Sequence, residues 1–501
     1  MYVEYVVENG HTLRIAVLGV TPGFYMRAVC GRATCVEGIV TPDNSPFDVA
    51  IIGGGPGGYV AAIRAAQLGA RVALVEKDRL GGTCLHRGCI PTKALVRSAE
   101  ALLEARDAST FGVVVKEATV DFGAMMARKR QVVAQQAEEL EKLIAWRKIA
   151  VLRGEGRLVG PGSIKVGDKL VAAGRTIIAT GSLPTRLPVP GASLPGVLTS
   201  DEILELEALP ESLVVIGAGV IGCEFASIFS ALGARVTIFE LLPRILPPVD
   251  EEIARRSQQI LRGQGITVHT NASLQEIRTE GERLRLLFGL GEEQQEVVAD
   301  RVLMAVGRRP CSDALEEAGL ALRDGSLAVN ERLETSVQNV YAVGDVVGLY
   351  MLAYVASYQG IIAAENALGG RRQADYRAIP NCVYTQPEVA SVGLREEEAR
   401  AQGVSYKVSR FPFSALARAQ LLGQPSGLVK LICEEPSGRV LGVHILGPRA
   451  TDIIAEGVLA LRMGATAQDL AHTMHGHPNL SEAIYEAAWG IIDSPFHLRR
   501  V

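Results

Sequence analysis

The sequence predicts an α/β chain with two Rossmann-like domains and a separate α+β domain at its C-terminal end. Three observations carry that expectation. Continuous apolar runs end in glycine-rich turns at Asp48-Val-Ala-Ile-Ile52 and again at Ser212-Leu-Val-Val-Ile216. Each run is followed by a helical stretch and a second apolar strand, so a βαβ unit occurs twice. After Pro380 the pattern changes to strands of antiparallel type followed by helices.

Composition narrows the function classes. The chain has 501 residues and a net charge of −4, from 51 Lys+Arg and 55 Asp+Glu. There is no basic excess to release counterions from phosphate, which argues against nucleic-acid binding. Aromatic residues are 5%, too few for base stacking as a main activity. Eight cysteines in this length are far from a disulfide scaffold. The longest apolar stretch, over 49–63, is interrupted by glycines and Pro56, so no membrane span is expected. The start carries Glu4 and Glu8 and no basic cluster, so a secretory signal is not expected and a cytoplasmic location is.

The elements follow in order. Residues 1–46 fit poorly with the rest and read as an extension, with a hairpin around Asn9-Gly10. It ends in the linker-like Thr41-Pro-Asp-Asn-Ser-Pro46, and a true start near Val40 is one reading of it. From Phe47 come a strand, a glycine turn, the helical stretch Tyr59–Leu68 and the strand Arg71-Val-Ala-Leu-Val-Glu76. A long helical stretch is expected over Ala118–Ile149. The second unit repeats the first, with Gly217–Leu232 and Arg235-Val-Thr-Ile-Phe-Glu240. Arg175-Thr-Ile-Ile-Ala-Thr-Gly181 and Arg301-Val-Leu-Met-Ala-Val-Gly307 also echo each other, so the pattern reads as an internal duplication. Strands are then expected at Asn381–Thr385, Leu428–Cys433 and Val440–Ile445, with helices over Asp452–Met463 and Leu480–Trp489.

Both glycine turns have the form Gly-x-Gly-x-x-Gly: Gly53, Gly55 and Gly58, then Gly217, Gly219 and Gly222. Such glycines permit a tight turn and close approach of backbone N–H groups to a pyrophosphate at a helix N-terminus. Glu76 and Glu240 end the following strands, where a carboxylate accepts from ribose hydroxyls. Glu240 would pair with a free 2′-hydroxyl and repel a 2′-phosphate, which favours NAD over NADP. Arg244 lies close by in sequence and reads as solvated or structural.

The run Gly81-Gly-Thr-Cys84-Leu-His-Arg-Gly-Cys89-Ile-Pro-Thr-Lys93 is the most reactive segment. Residues five apart in a regular helix lie about 8–9 Å apart at Cα, whereas a disulfide needs less than about 7 Å. A bridge therefore requires an irregular helix start, which Gly88 and Pro91 permit. Two buried cysteines or half a metal site are the other readings, although no second cysteine pair of metal spacing completes the latter. A cytosolic cysteine pair directly after a dinucleotide-type βαβ unit favours redox chemistry.

With these residues in view, the chain resembles the flavin-dependent class I pyridine nucleotide-disulfide oxidoreductases, and among them the dihydrolipoamide dehydrogenases. The resemblance runs from Phe47 to about Trp489. It implies that the first fingerprint binds FAD and the second NAD. Cys84 would be the interchange thiol facing substrate, and Cys89 the charge-transfer thiol beside the flavin. Lys93 matches the lysine near flavin N5, and Glu224 its ion-pair partner, with a plain structural salt bridge as the alternative. Thr335–Asp345 resembles the second FAD segment, with Asp345 holding the ribityl chain, and Met351-Leu-Ala353 resembles the helix start at the flavin pyrimidine ring. Gly181 and Gly307 close the two cofactor sites. Tyr354 and Tyr358-Gln359-Gly360 depart from the commoner His and Glu-Glu-Gly, a departure expected to leave the mechanism intact. The expected boundaries are an extension over 1–46, an FAD-binding domain over 47–181 and an NAD-binding domain over 182–308. A central domain over 309–378 would complete the FAD site, and a dimerisation domain would cover 379–501.

His472-x-x-His475-x-His477-Pro-Asn-Leu-Ser-Glu482 is the densest histidine cluster. A metal site is one reading, though no carboxylate–cysteine set completes it; three ordinary polar histidines are another. Thiol oxidation releases protons, and an imidazole can take them near neutral pH, with Glu482 fixing its tautomer. The family pattern His-Pro-x-Leu-Ser-Glu falls on His477 and Glu482. The resemblance implies that this pair comes from the partner subunit, so that a homodimer completes the site. His472 and His475 stay unassigned.

The resemblance thus implies oxidation of protein-bound dihydrolipoamide with reduction of NAD, in a 2-oxoacid dehydrogenase or glycine-cleavage complex. The lipoyl domain of an acyltransferase or carrier would be the partner. A glutathione reductase-like activity is the nearest alternative, but Glu240 stands where NADP enzymes carry basic residues, and Val220 where they carry a gating Tyr. A mainly structural flavoprotein subunit is the alternative from another class.

Overall fold

The computed structural model describes residues 2–7, 11–16, 46–291, 293–313 and 315–498. The chain divides into two units, Met1–Ser45 and Pro46–Val501. In the first unit, Tyr2–Val7 pairs antiparallel with His11–Ala16, with Val7 opposite His11, a hairpin about the expected position. The expected linker over 41–45 and the reading of a start near Val40 lie outside the described residues.

In the second unit, Phe47–Ile52 is the centre of a parallel sheet because its last four residues are buried on both faces. Val72–Glu76 and then Ala150–Arg153 lie on one side of it, and Lys169–Ile178 on the other. The second sheet has the same plan. Ser212–Ile216 is central, with Arg235–Phe239 and Thr267–His269 on one side and Arg301–Met304 on the other. Beside both sheets an antiparallel three-stranded excursion stands between the third and fourth strands: Gly156–Gly160, Ser163–Val166 and the start of Lys169–Ile178 at the first, Ala272–Glu280, Arg283–Leu290 and Glu293–Ala299 at the second. The duplication read from sequence is therefore a duplication of topology.

The fifth strands differ in origin. Val197–Leu198 completes the second sheet from before it, and Val340–Ala342 completes the first sheet from far downstream. Residues 309–378, expected as a central domain, thus add their strand to the first sheet. Their helix Ala353–Ala367 packs on Pro56–Gln67. The two helices touch at glycines: a Cβ on Gly360 would sit 2.4 Å from the Gly57 carbonyl oxygen. The reason is long-range pairing, which local periodicity does not report.

The expected long helix is Phe122–Trp146, N-capped by Asp121, which accepts from Ala124 N–H at 2.8 Å. The last part is a five-stranded antiparallel sheet in the order Asn381–Val383, Glu388–Gly393, Val440–Gly447, Leu428–Glu434, Tyr406–Pro412. Helices Ala450–Met463 and Glu482–Ile492 cover it. Among the described residues, no helix is long and apolar enough to cross a membrane.

Candidate active site

The two fingerprint turns have one design. Gly53 and Gly217 have positive φ, +105° and +96°, and a Cβ on either would collide with a backbone carbonyl, of Ala179 and of Ala305. A Cβ on Gly58 or Gly222 would collide with the carbonyl of the first glycine of its own motif. The middle glycines differ: a Cβ on Gly55 or Gly219 meets no protein atom within 4 Å. These two are also the N-caps of Pro56–Gln67 and Val220–Leu232. Open space therefore lies in front of two helix N-termini, where unpaired N–H groups favour an anion. Gly181 and Gly307, at +75° and +106°, likewise face open space at the ends of the two fourth strands.

Glu76 and Glu240 are buried and pinned alike. Glu76 accepts from Gly54 N–H at 2.6 Å and Asp78 N–H at 2.7 Å. Glu240 accepts from Ala218 N–H at 2.6 Å and Leu242 N–H at 2.8 Å. Arg244 donates to Pro247 O and pairs with Glu397 at 3.1 Å, so its charge is engaged.

The cysteine run is bolted to the first turn, through Gly81 N–H donating to Gly54 O at 2.8 Å. Cys84 lies in Gly82–Arg87 and Cys89 opens Cys89–Arg106. Gly88 separates the two helices with φ −145° and ψ −112°, which supplies the irregular start that a close approach of the sulfurs needs. Both cysteines are thiols here. The neighbouring Cys84 thiol is the largest cause holding Cys89 down, to about 7, with the Lys93 ammonium adding to it and burial opposing. Cys84 is correspondingly pushed well above its ordinary value. Lys93, on the same helix as Cys89, lies 2.9 Å from both carboxylate oxygens of the buried Glu224. Burial works against its charge, and Glu224 more than offsets this.

Asp345 is the second residue of a short 3-10 turn over Gly344–Val347 and accepts from Ser182 Oγ at 2.5 Å. Arg308 donates to Ser182 Oγ and to Ser182 O, both at 2.8 Å. Ser182 and Arg308 are absent from the sequence reading. The signal for them is that each directly follows a closing glycine, Gly181 or Gly307. Ala353 is the first residue of its helix, with Leu352 as N-cap. Of the residues that depart from the family pattern, Gln359 is fully buried and neutral. It accepts from Gly344 N–H at 2.7 Å and donates to the Tyr376 hydroxyl at 2.9 Å.

The three histidines of the cluster go to three environments. His472 packs edge-on against Trp489. His475 is tied at both ring nitrogens, to Thr473 O and to Glu456, each at 2.9 Å. The His477 side chain is 74% exposed, with Nδ1 3.0 Å from Glu482. Glu482 also accepts from Asn479 N–H. Among the described residues, no hydrogen bond or ion pair joins His477–Glu482 to Cys84–Cys89. The His477 Nε2 edge is free to face another molecule.

Comparison with known proteins matches residues 47–360 to the pyridine nucleotide-disulphide oxidoreductase model and residues 379–488 to its dimerisation domain. Dihydrolipoyl dehydrogenase of Bacillus subtilis is 42% identical over 461 residues, covering 88% of this chain and 97% of that protein. The mitochondrial dihydrolipoyl dehydrogenase of Pisum sativum is 40% identical over 463 residues, covering 90% and 92%. The crystal structure of LpdA from Mycobacterium tuberculosis superimposes with a TM-score of 0.82 at 30% identity, covering 88% and 98%.

Proposed function

The chain belongs to the pyridine nucleotide-disulphide oxidoreductase family, and we propose that it is a dihydrolipoyl dehydrogenase, oxidising dihydrolipoamide to lipoamide with FAD and NAD as cofactors. One observation carries the reading: two free thiols, Cys84 and Cys89, flank the helix break at Gly88 on a segment hydrogen-bonded to the first fingerprint turn. Two thiols so placed can close and open a disulfide next to a dinucleotide site.

The residues fit both cofactors. Gly53, Gly55, Gly58 and Glu76 would hold FAD at its pyrophosphate and ribose, with Gly181, Asp345 and Ala353 along the rest of it. Gly217, Gly219, Gly222, Glu240 and Gly307 would hold NAD. FAD, when bound, would supply the two-electron acceptor for the thiol pair, and NAD the acceptor of hydride.

The chain's own residues do the rest. A dihydrolipoamide thiolate attacks the Cys84 sulfur of the oxidised pair, and the Cys84–Cys89 bond breaks. Cys89 leaves as thiolate, for which its lowered pKa suits it. The second substrate thiolate displaces Cys84, so lipoamide departs oxidised and the chain keeps two thiols. His477 takes the released proton at Nε2, because Nδ1 faces Glu482. Lys93 and Glu224 hold a positive charge beside Cys89.

The dimerisation domain supports a homodimer. In it, His477 and Glu482 of one protomer serve the cysteine pair of its partner. Exposed Leu459, Met463 and Met474, on the same part of the chain, fit burial against a second copy. The physiological substrate is the lipoyl domain of a 2-oxoacid dehydrogenase acyltransferase or of a glycine-cleavage carrier, and a cytoplasmic location fits a dithiol that cycles. Cys89→Ser tests the reading: it abolishes lipoamide turnover, and full turnover in that variant contradicts it.

A further inference from the structure

Tyr384 follows the strand Asn381–Val383 directly and touches both members of the Lys93–Glu224 pair. The Lys93 ammonium lies 4.5 Å from the centre of the Tyr384 ring, cation–π distance. The Tyr384 backbone N–H donates to Glu224 Oε1 at 3.0 Å. Glu224 alone would leave the ammonium free to swing about two acceptor oxygens. A ring on one side limits that motion, and it is a fixture that does not compete for the proton.

We propose that Tyr384 is a positioning residue for Lys93: its ring holds the ammonium and its backbone N–H holds the carboxylate, so that the positive charge stays beside Cys89. The proposal rests on the reading of Lys93 and Cys89 given above. Side-chain substitution separates the two grips, because the backbone N–H bond to Glu224 survives it.

The test is the rate of alkylation of Cys89 by iodoacetamide in the reduced holoenzyme, followed against pH by mass spectrometry of the Cys89 peptide. Tyr384→Leu removes the ring. A cation–π contact of about 0.5–1 kcal/mol then corresponds to a midpoint moved upward and alkylation about two- to threefold slower at pH 7. Tyr384→Phe keeps the ring and keeps the unsubstituted protein's midpoint. Tyr384→Met fills the same volume without a ring and behaves as the Leu variant if that variant folds poorly. An unchanged midpoint in both ring-less variants overturns the proposal, as does a Phe variant shifted as far as they are. Lipoamide turnover by Cys89→Ser judges the underlying reading separately, because the alkylation midpoint does not depend on what the thiol does in turnover.

Discussion

Glu240 holds in the second Rossmann-like fold the two contacts that Glu76 holds in the first. Each carboxylate accepts from the residue after the first fingerprint glycine and from the residue two positions beyond itself. Each carboxylate is thereby held at the end of its strand before any ligand arrives.

Glu240→Ala removes the acceptor for a 2′-hydroxyl and the repulsion of a 2′-phosphate. The expected result is a loss of about tenfold in kcat/KM for NAD, the worth of one charged hydrogen bond, with NADP discrimination reduced. Steady-state kinetics with both nucleotides check it, and unchanged discrimination contradicts it.

Gly55 and Gly58 separate ligand space from packing. Gly55→Ala adds a Cβ that meets no protein atom, so stability changes by about 1 kcal/mol or less. Flavin content of the purified protein falls, because the Cβ enters the phosphate space. Gly58→Ala places a Cβ 1.8 Å from the Gly53 carbonyl oxygen and lowers stability as well. Thermal unfolding and flavin absorbance read the two effects apart.

Both fingerprints, the cysteine run and the His477–Glu482 motif are legible in sequence because each is a local pattern set by turn and helix-start chemistry. The break at Gly88 is legible for the same reason. The return of Val340–Ala342 to the first sheet is not, nor is the assembly of Ser182, Arg308 and Asp345, whose members are far apart in the chain. Local periodicity reports which face a residue presents and carries no information on its distant partner. Tyr384 escaped for that reason: on the sequence it is one aromatic residue in a strand.

Cys84→Ala removes the neighbouring thiol that is the main cause lowering Cys89. The Cys89 thiol then ionises above about 7, its position in the intact pair. The thiolate fraction at pH 7 falls, and alkylation of Cys89 against pH shows the midpoint moving up. A midpoint that stays or moves down contradicts the role given to Cys84.

His477→Ala lowers lipoamide turnover by about 10²–10⁴, the usual effect of losing a general base. Complementation tests the shared site. Co-expressed Cys84→Ser and His477→Ala chains form mixed dimers in which one site keeps both groups, so activity returns; the two variants purified separately and then mixed without exchange show no more than the residual His477→Ala rate. Absence of recovery in verified mixed dimers contradicts a site shared between protomers.

The most direct test of the central claim is steady-state oxidation of dihydrolipoamide by the purified FAD-bound protein, with NAD and NADP in parallel. Rapid turnover with a clear preference for NAD is the predicted result. A flavin-loaded protein that fails to oxidise dihydrolipoamide, or that does so only with NADP, contradicts it.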